Sequence, residues 1–485
     1  MNALRRLPRP PRRHLPEELD FLKVEEALAW GRGLAEASPG SPAAFAEWLR
    51  ARAEFEAALA ESLLLARLDF IDQPADPRRR GWLEDLHRQA GARWEELRHR
   101  LDLAAWQVRA LLEGAARAPW EPALRGRLAL YRESNLALKE RLAELALDYA
   151  GLLGSLAIER AGRSCPLAEM RHLLQGDDPT VRRAVWEARA QRLEDLRPAL
   201  EDLLDETLAL REQIARNADH PDWNAYRVAQ GRGPRPWRPE DLLRAAAGRE
   251  RAARPWDLAR AEGGQRPMGA GQVLAELADG LSYHEPALAR TLRLLELSGL
   301  LDLEARPGKF DLDACFWLPE RRLPLLRLGA LALEDDLERG LSLLLAARRA
   351  MEGEAGPPGR VLLPSCAEDL PRARGIAGGL FSEYEPGQAR LMEQRVEGIR
   401  RLEACRALTV EYWGRWLHGN PGAGRVQRRR VWCAALALAF PGVKELGNAP
   451  DLEDTLFLET AFFLPDWHPP SRAALLLETE PPPTP

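Results

Sequence analysis

The chain has 485 residues, a net charge of −5, 46% apolar and 29% charged residues, an ordinary globular composition long enough for two or three lobes and at least one large core. The acidic balance excludes nonspecific nucleic-acid binding, which depends on clustered positive charge, and no apolar run reaches the length of a membrane span. Five dispersed cysteines (Cys165, Cys315, Cys366, Cys405, Cys433) without a CxxC pair exclude a disulfide framework or a thiolate zinc site and fit a reducing cytoplasm.

The lead MNALRRLPRPPRRHLPEELD is basic but lacks the apolar stretch of a secretory signal. From there to about Gln230 the pattern is helical, with Ala, Leu, Glu and Arg as fillers and prolines mostly at segment edges. ESLLLARLDF, EDLHRQAGARWEELRHRLD and LKERLAELALDYAGLLGSL are examples, and no fixed-period repeat links them. GRGPRPWRP (231–239) reads as a loop before a helix, and EGGQRPMGAG (262–271) as a second break. From Leu301 the text turns to short segments punctuated by Pro and Gly, which predicts small strands. Asp335–Met351, DDLERGLSLLLAARRAM, returns to helix, with Leu337, Leu341, Leu344 and Leu345 at one-face spacing. Helices resume near Leu370 after a break at 354–360, and the terminal PPPTP is expected to be disordered. The fold class predicted is mostly α with one small β patch.

LLDLEARPGK, CFWLPERRLP and the following helix that opens on paired aspartates resemble the oligoendopeptidase F / thimet oligopeptidase family of zinc metallopeptidases. RRHLPEELDF near the start and DDPTVRRAVWEARAQRLEDLRPALEDLLDETLALREQIARNADHPDWNAYR extend the likeness in the same order. The resemblance implies a zincin-like scaffold: a two-lobed helical ellipsoid around a deep central cleft that admits short peptides. It divides the chain into an N-terminal helical lobe (1–200), a catalytic-like lobe (201–480) with the β patch at 301–330 and the zinc-type helix at 335–351, and a tail (481–485).

In that family this helix carries His-Glu-x-x-His. Residues four apart share a helix face, so two imidazoles bind one zinc while the Glu activates its water. Here the histidine positions fall on Ser342 and Ala346 and the glutamate position on Leu343. None of the three can ligate zinc or take a proton from water. The third ligand, a Glu on a later helix, falls at or beside Gly375, and Glu383 and Glu385 follow about two turns too late. The segment LFLETAFFLPDWHPP matches a substrate-binding stretch rich in His and Tyr, but places Leu456, Phe463, Leu464 and Trp467 at its polar or phenolic positions. Leu312 and Asp313 replace a glycine pair near Cys315. The expected cofactor is therefore none, although the family uses zinc.

Chemistry elsewhere finds little support. No two of the eight histidines lie four apart; His284-Glu285 is followed by Pro286 and reads as an exposed helix start, and HGNPGAGR (418–425) as a loop without the Walker pattern. Arg78–Arg80 and Arg428–Arg430 read as solvated faces, while Arg321, Arg322 and Arg327 border the inferred cleft and suit a peptide carboxylate. Arg321, Arg322, Arg327, Phe463, Leu464 and Trp467 are the candidate cleft residues. Three functions follow: a catalytically inactive peptidase homologue that binds short peptides or an active peptidase relative; a working metalloendopeptidase with ligands at other positions; or a helical interaction protein with a closed cleft. A cytoplasmic protein with no nucleic-acid or membrane partner is expected.

Overall fold

The computed structural model describes residues 7–74, 76–111, 121–166, 169–170, 173–174, 176, 178–230, 270–303, 314–328, 336–354, 361–362 and 412–439. Among the described residues five α-helices come first: α1 (Val24–Glu36), α2 (Pro42–Asp72), α3 (Pro77–Gln107), α4 (Glu121–Leu130) and α5 (Leu136–Gly154). A hairpin of β1 (Ala157–Arg160) and β2 (Arg163–Pro166) precedes α6 (Pro179–Asn217) and α7 (Trp223–Ala229). Then come α8 (Ala270–His284), α9 (Pro286–Leu297), β3 (Leu301–Asp302), β4 (Ala314–Leu318) and β5 (Leu323–Arg327). α10 (Asp336–Arg349) and β6 (Val361–Leu362) follow, then α11, described over 412–419, and α12 (Arg425–Ala439).

The helix starts are written in the sequence. Ser41, Asp76 and Asp178 each precede a proline at the first helical position, and each side chain accepts a hydrogen bond from a backbone N–H of the first turn. Asp222 caps α7 in the same way, accepting from the Ala225 N–H. α6 runs for 39 residues with Pro198 inside it, roughly 58 Å at 1.5 Å per residue. Residue 200, where the sequence reading divides the lobes, lies within this helix.

The β1–β2 hairpin interrupts a stretch expected to be helical. Ala161 and Gly162 close it with φ of 52° and 74°, the pair of positive values that a two-residue turn with the correct twist requires. Gly162 adopts its angle freely, whereas Ala161 is strained.

The second sheet has the order β3-β5-β4-β6, with β3 parallel to β5 and the other pairs antiparallel. Every residue of β4 is buried, so this sheet is covered on both faces, and β4 reads as a continuous apolar run rather than an alternation. α10 packs on β4, β5, α8 and α9. One apolar core extends from Leu15 in the N-terminal segment to Trp432 in α12. A satellite cluster around Leu142, Ile214 and Tyr226 ties α5, α6 and α7 together. No helix among the described residues is long and apolar enough to cross a membrane.

Candidate functional site

The segment 340–347 of α10, GLSLLLAA, is buried on all sides, although its leucine spacing predicts a single apolar face. A helix buried all round belongs to the interior. It is enclosed by the sheet and by α8 and α9, and Leu277 of α8 lies beside Gly340, where a Cβ would meet its Cδ1 at an ordinary 3.5 Å. Ser342 and Ala346, one turn apart, share a face, and Leu343 adjoins them. Leu343 and Ala346 have no exposed surface, and Ser342 retains 3%. The helix ends by loosening into a π turn over Ala350–Glu354, where Arg348 pairs with Glu352 at 2.6 Å.

A zinc ion does not fit these side chains. A methyl and a branched alkyl offer no lone pair, and a neutral hydroxyl is a poor ligand beside imidazole, thiolate or carboxylate. Among the described residues, no three His, Cys, Asp or Glu groups are arranged to hold a metal ion. Gly375, Glu383 and Glu385 lie outside the described residues, as do Leu312, Asp313, Leu456, Phe463, Leu464 and Trp467.

The three arginines of the β patch separate in role. Arg321 and Arg327 both turn towards α2. Glu61, 1% exposed, accepts hydrogen bonds from the backbone N–H of Glu320 at 2.9 Å and of Arg321 at 3.0 Å, and pairs with the Arg321 guanidinium. Arg327 donates to the Asp72 carboxylate at 2.7 Å and to the Ile71 carbonyl at 3.1 Å. Glu61 and Asp72 stand 11 residues apart, roughly 16 Å along a helix; the six steps from Arg321 in the turn to Arg327 at the end of β5 span at most roughly 20 Å. The two spacings nearly match, so the arginines rivet the hairpin along α2. The N-terminal segment covers the hairpin tip: Arg12 reaches Glu320 at 2.7 Å, and the Leu7 carbonyl accepts from Arg321 Nε at 3.2 Å. Arg322 differs. It is exposed, with φ of 56° in the turn between the strands.

Within the other arginine runs Arg78 and Arg430 are exposed, as expected of solvated faces, whereas Arg79, Arg80 and Arg428 are paired within the fold. Arg79 pairs with Asp69 and Asp76, and Arg80 with Glu84 and Asp148. Arg428 pairs with Asp205, which Arg425 also contacts at 2.6 Å. His284 is exposed at the end of α8 rather than at a helix start, with Pro286 opening α9.

Sequence reading missed two histidines. His87 is half-buried, and its partial removal from water, reinforced by the Arg67 guanidinium, pushes its pKa down to about 4. His418 is taken as loop from the sequence but lies buried in the last turn of α11. Its Nδ1 is 2.7 Å from the Gly414 carbonyl and its Nε2 is 2.9 Å from Arg211 Nη1. Burial first, then Arg211, holds its pKa well below the ordinary histidine value. Some 207 residues separate His418 from Arg211, so no local pattern announces the pair.

No family model and no curated sequence matches the chain. Solved structures do match. An oligoendopeptidase F structure superposes with a TM-score of 0.79 at 15% identity, covering 96% of this chain and 86% of that one. A structure of PZ peptidase A with an inhibitor gives 0.77 at 14% identity, covering 95% and 87%. An oligoendopeptidase F from Bacillus anthracis gives 0.73 at 14% identity, covering 92% and 88%. The chain has the mostly helical oligoendopeptidase F fold.

Proposed function

We propose that this chain acts by association rather than hydrolysis, holding short peptides in the cleft implied by the resemblance or pairing with an active peptidase of the same fold. The observation that carries this reading is the buried trio Ser342, Leu343 and Ala346 at the spacing of a zinc helix. Buried imidazoles and a carboxylate without a metal would cost several kcal/mol in desolvation, roughly 2–7 per polar group. Leu and Ala remove that cost, and with it the metal and the general base. Cys165, Cys315 and Cys433 are thiols rather than disulfides, in keeping with a cytoplasmic setting.

The test uses untagged full-length protein. Metal analysis is expected to find well under one zinc per chain, and quenched fluorescent oligopeptides should be cut only at background, with or without added zinc, cobalt or manganese. Association should appear as a defined co-purifying partner or micromolar peptide binding. Stoichiometric zinc, or chelator-sensitive cleavage by a preparation free of contaminating peptidase, would establish the working metalloendopeptidase instead. The complete burial of Leu343 favours one further reading, an interaction protein with a closed cleft. A monomer that binds neither partner nor peptide would select it.

A further inference from the structure

We propose that the Arg211–His418 contact is an acid-sensitive latch that fastens α11 to α6 and α7. Arginine stays protonated throughout the range of protein stability and has no acceptor atom. Its Nη1 must therefore donate across the 2.9 Å contact, and His418 Nε2 must accept. The imidazole proton then sits on Nδ1, donated to the Gly414 carbonyl one turn back along α11. A second proton has no place: it would set imidazolium against guanidinium inside the protein.

The surroundings reinforce this. Among the described residues, the charged groups that act on the imidazole are Arg211 from α6 and Arg227 from α7, both cationic. Trp223 of α7 lies beside the ring, with centroids 6.3 Å apart, and stacks with the Arg211 guanidinium at 5.4 Å. Asn224 donates to the Arg415 carbonyl at 3.2 Å. One protonation therefore acts on a contact shared by three helices.

The next helix is fastened differently. Arg425 of α12 pairs with Glu201, Asp202 and Asp205 of α6, and Arg428 with Asp205. Partial burial opposes ionisation of Asp205, but the hydrogen bonds from Arg425 and Arg428 prevail and keep its pKa below the ordinary carboxylate value. These pairs persist at a pH where histidine protonates. Acid thus loosens α11 while α12 stays docked, and the turn at residues 420–424 is the hinge. Its hydrogen bonds, Asn420 N–H to Leu417 and Ala423 N–H to Asn420, are local and survive the motion.

Hydrogen exchange of the full chain at pH 7.5, 6.5, 5.5 and 5.0, normalised to the intrinsic rate at each pH, reads the latch. Opening of residues 412–419 should rise about tenfold for each pH unit below roughly 6.5, the free-histidine value, while residues 425–439 change little. His418→Gln, which keeps a neutral acceptor, should abolish the pH dependence. Unchanged protection of 412–419 across this range, or equal loosening of 412–419 and 425–439, would overturn the latch from wild-type protein alone. A folded His418→Gln protein with the same acid response would overturn it as well.

Discussion

Glu61 sits beneath the tip of the β4–β5 hairpin and holds Arg321 twice, by its backbone N–H and by its guanidinium. Glu61 is nearly inaccessible, so removing the carboxylate strands a buried cation and two backbone donors. Glu61→Ala should cost about 3–5 kcal/mol, the penalty for breaking a buried ion pair by one partner. Chemical denaturation followed by circular dichroism measures it; a loss below about 1 kcal/mol would contradict the rivet.

Arg322 gives the opposite expectation. It holds a left-handed backbone conformation and its side chain is exposed. Arg322→Gly should therefore stabilise the chain by roughly 1 kcal/mol by relieving the Cβ clash. Arg322→Ala, which keeps the Cβ, should stay within about 0.5 kcal/mol of wild type. Of the three arginines, Arg322 is the clean probe of the proposed peptide-carboxylate binding: Arg322→Ala should lower peptide affinity without unfolding, whereas Arg321→Ala and Arg327→Ala should lower stability itself.

Acid should weaken the protein before its carboxylates titrate. His87 is held at about 4, against roughly 6.5 when unfolded. Below about 6.5 the unfolded chain binds a proton that the folded chain refuses. Its contribution to stability is intact above that pH and drains away as pH falls towards 4, by roughly 3 kcal/mol in total. His418 shifts the same way and adds a second proton. Stability measured from pH 7.5 to 4.5 should show this slope, and His87→Gln should reduce it by about one proton.

α10 should behave as core. Leu343→Ala is expected to cost about 2–5 kcal/mol, as for other buried leucines, and zinc or a chelator should leave the melting temperature of the wild type unchanged. Leu343→Glu should be more damaging, because it would place a charge where the side chain has no exposed surface. A Leu343→Glu protein as stable as wild type would show that this position faces solvent.

The local grammar of the fold was legible from residues alone. Prolines are expected mostly at segment edges, and Pro42, Pro77 and Pro179 do each open a helix. β4 and β5 fall in the expected patch, and α10 lies in its predicted span. The β1–β2 hairpin was hidden because Ala, Glu and Arg are helix fillers; only Gly162 marked the turn, and its partner Ala161 ordinarily avoids positive φ. Arg321 and Arg327 could be placed at the patch but not aimed, because their carboxylates lie 260 and 255 residues earlier. All-round burial of 340–347 escaped because leucine spacing reports one face and does not say that β4, β5 and the two preceding helices fold back over the others.

The rivet between α2 and the hairpin also sets a timetable. Glu61 leaves the ribosome 260 residues before Arg321, and at a synthesis rate of about 5–20 residues per second that interval lasts roughly 13–52 s. During it α2 carries a carboxylate, and Arg12 a guanidinium, whose eventual companions have not been made. The amino-terminal helices can pack on one another in that interval, but the acidic notch at Glu61 stays unfilled until the hairpin arrives. Contacts of such long sequence separation make closure slow, so a chain halted before Arg321 would carry the Glu61 carboxylate without its arginine.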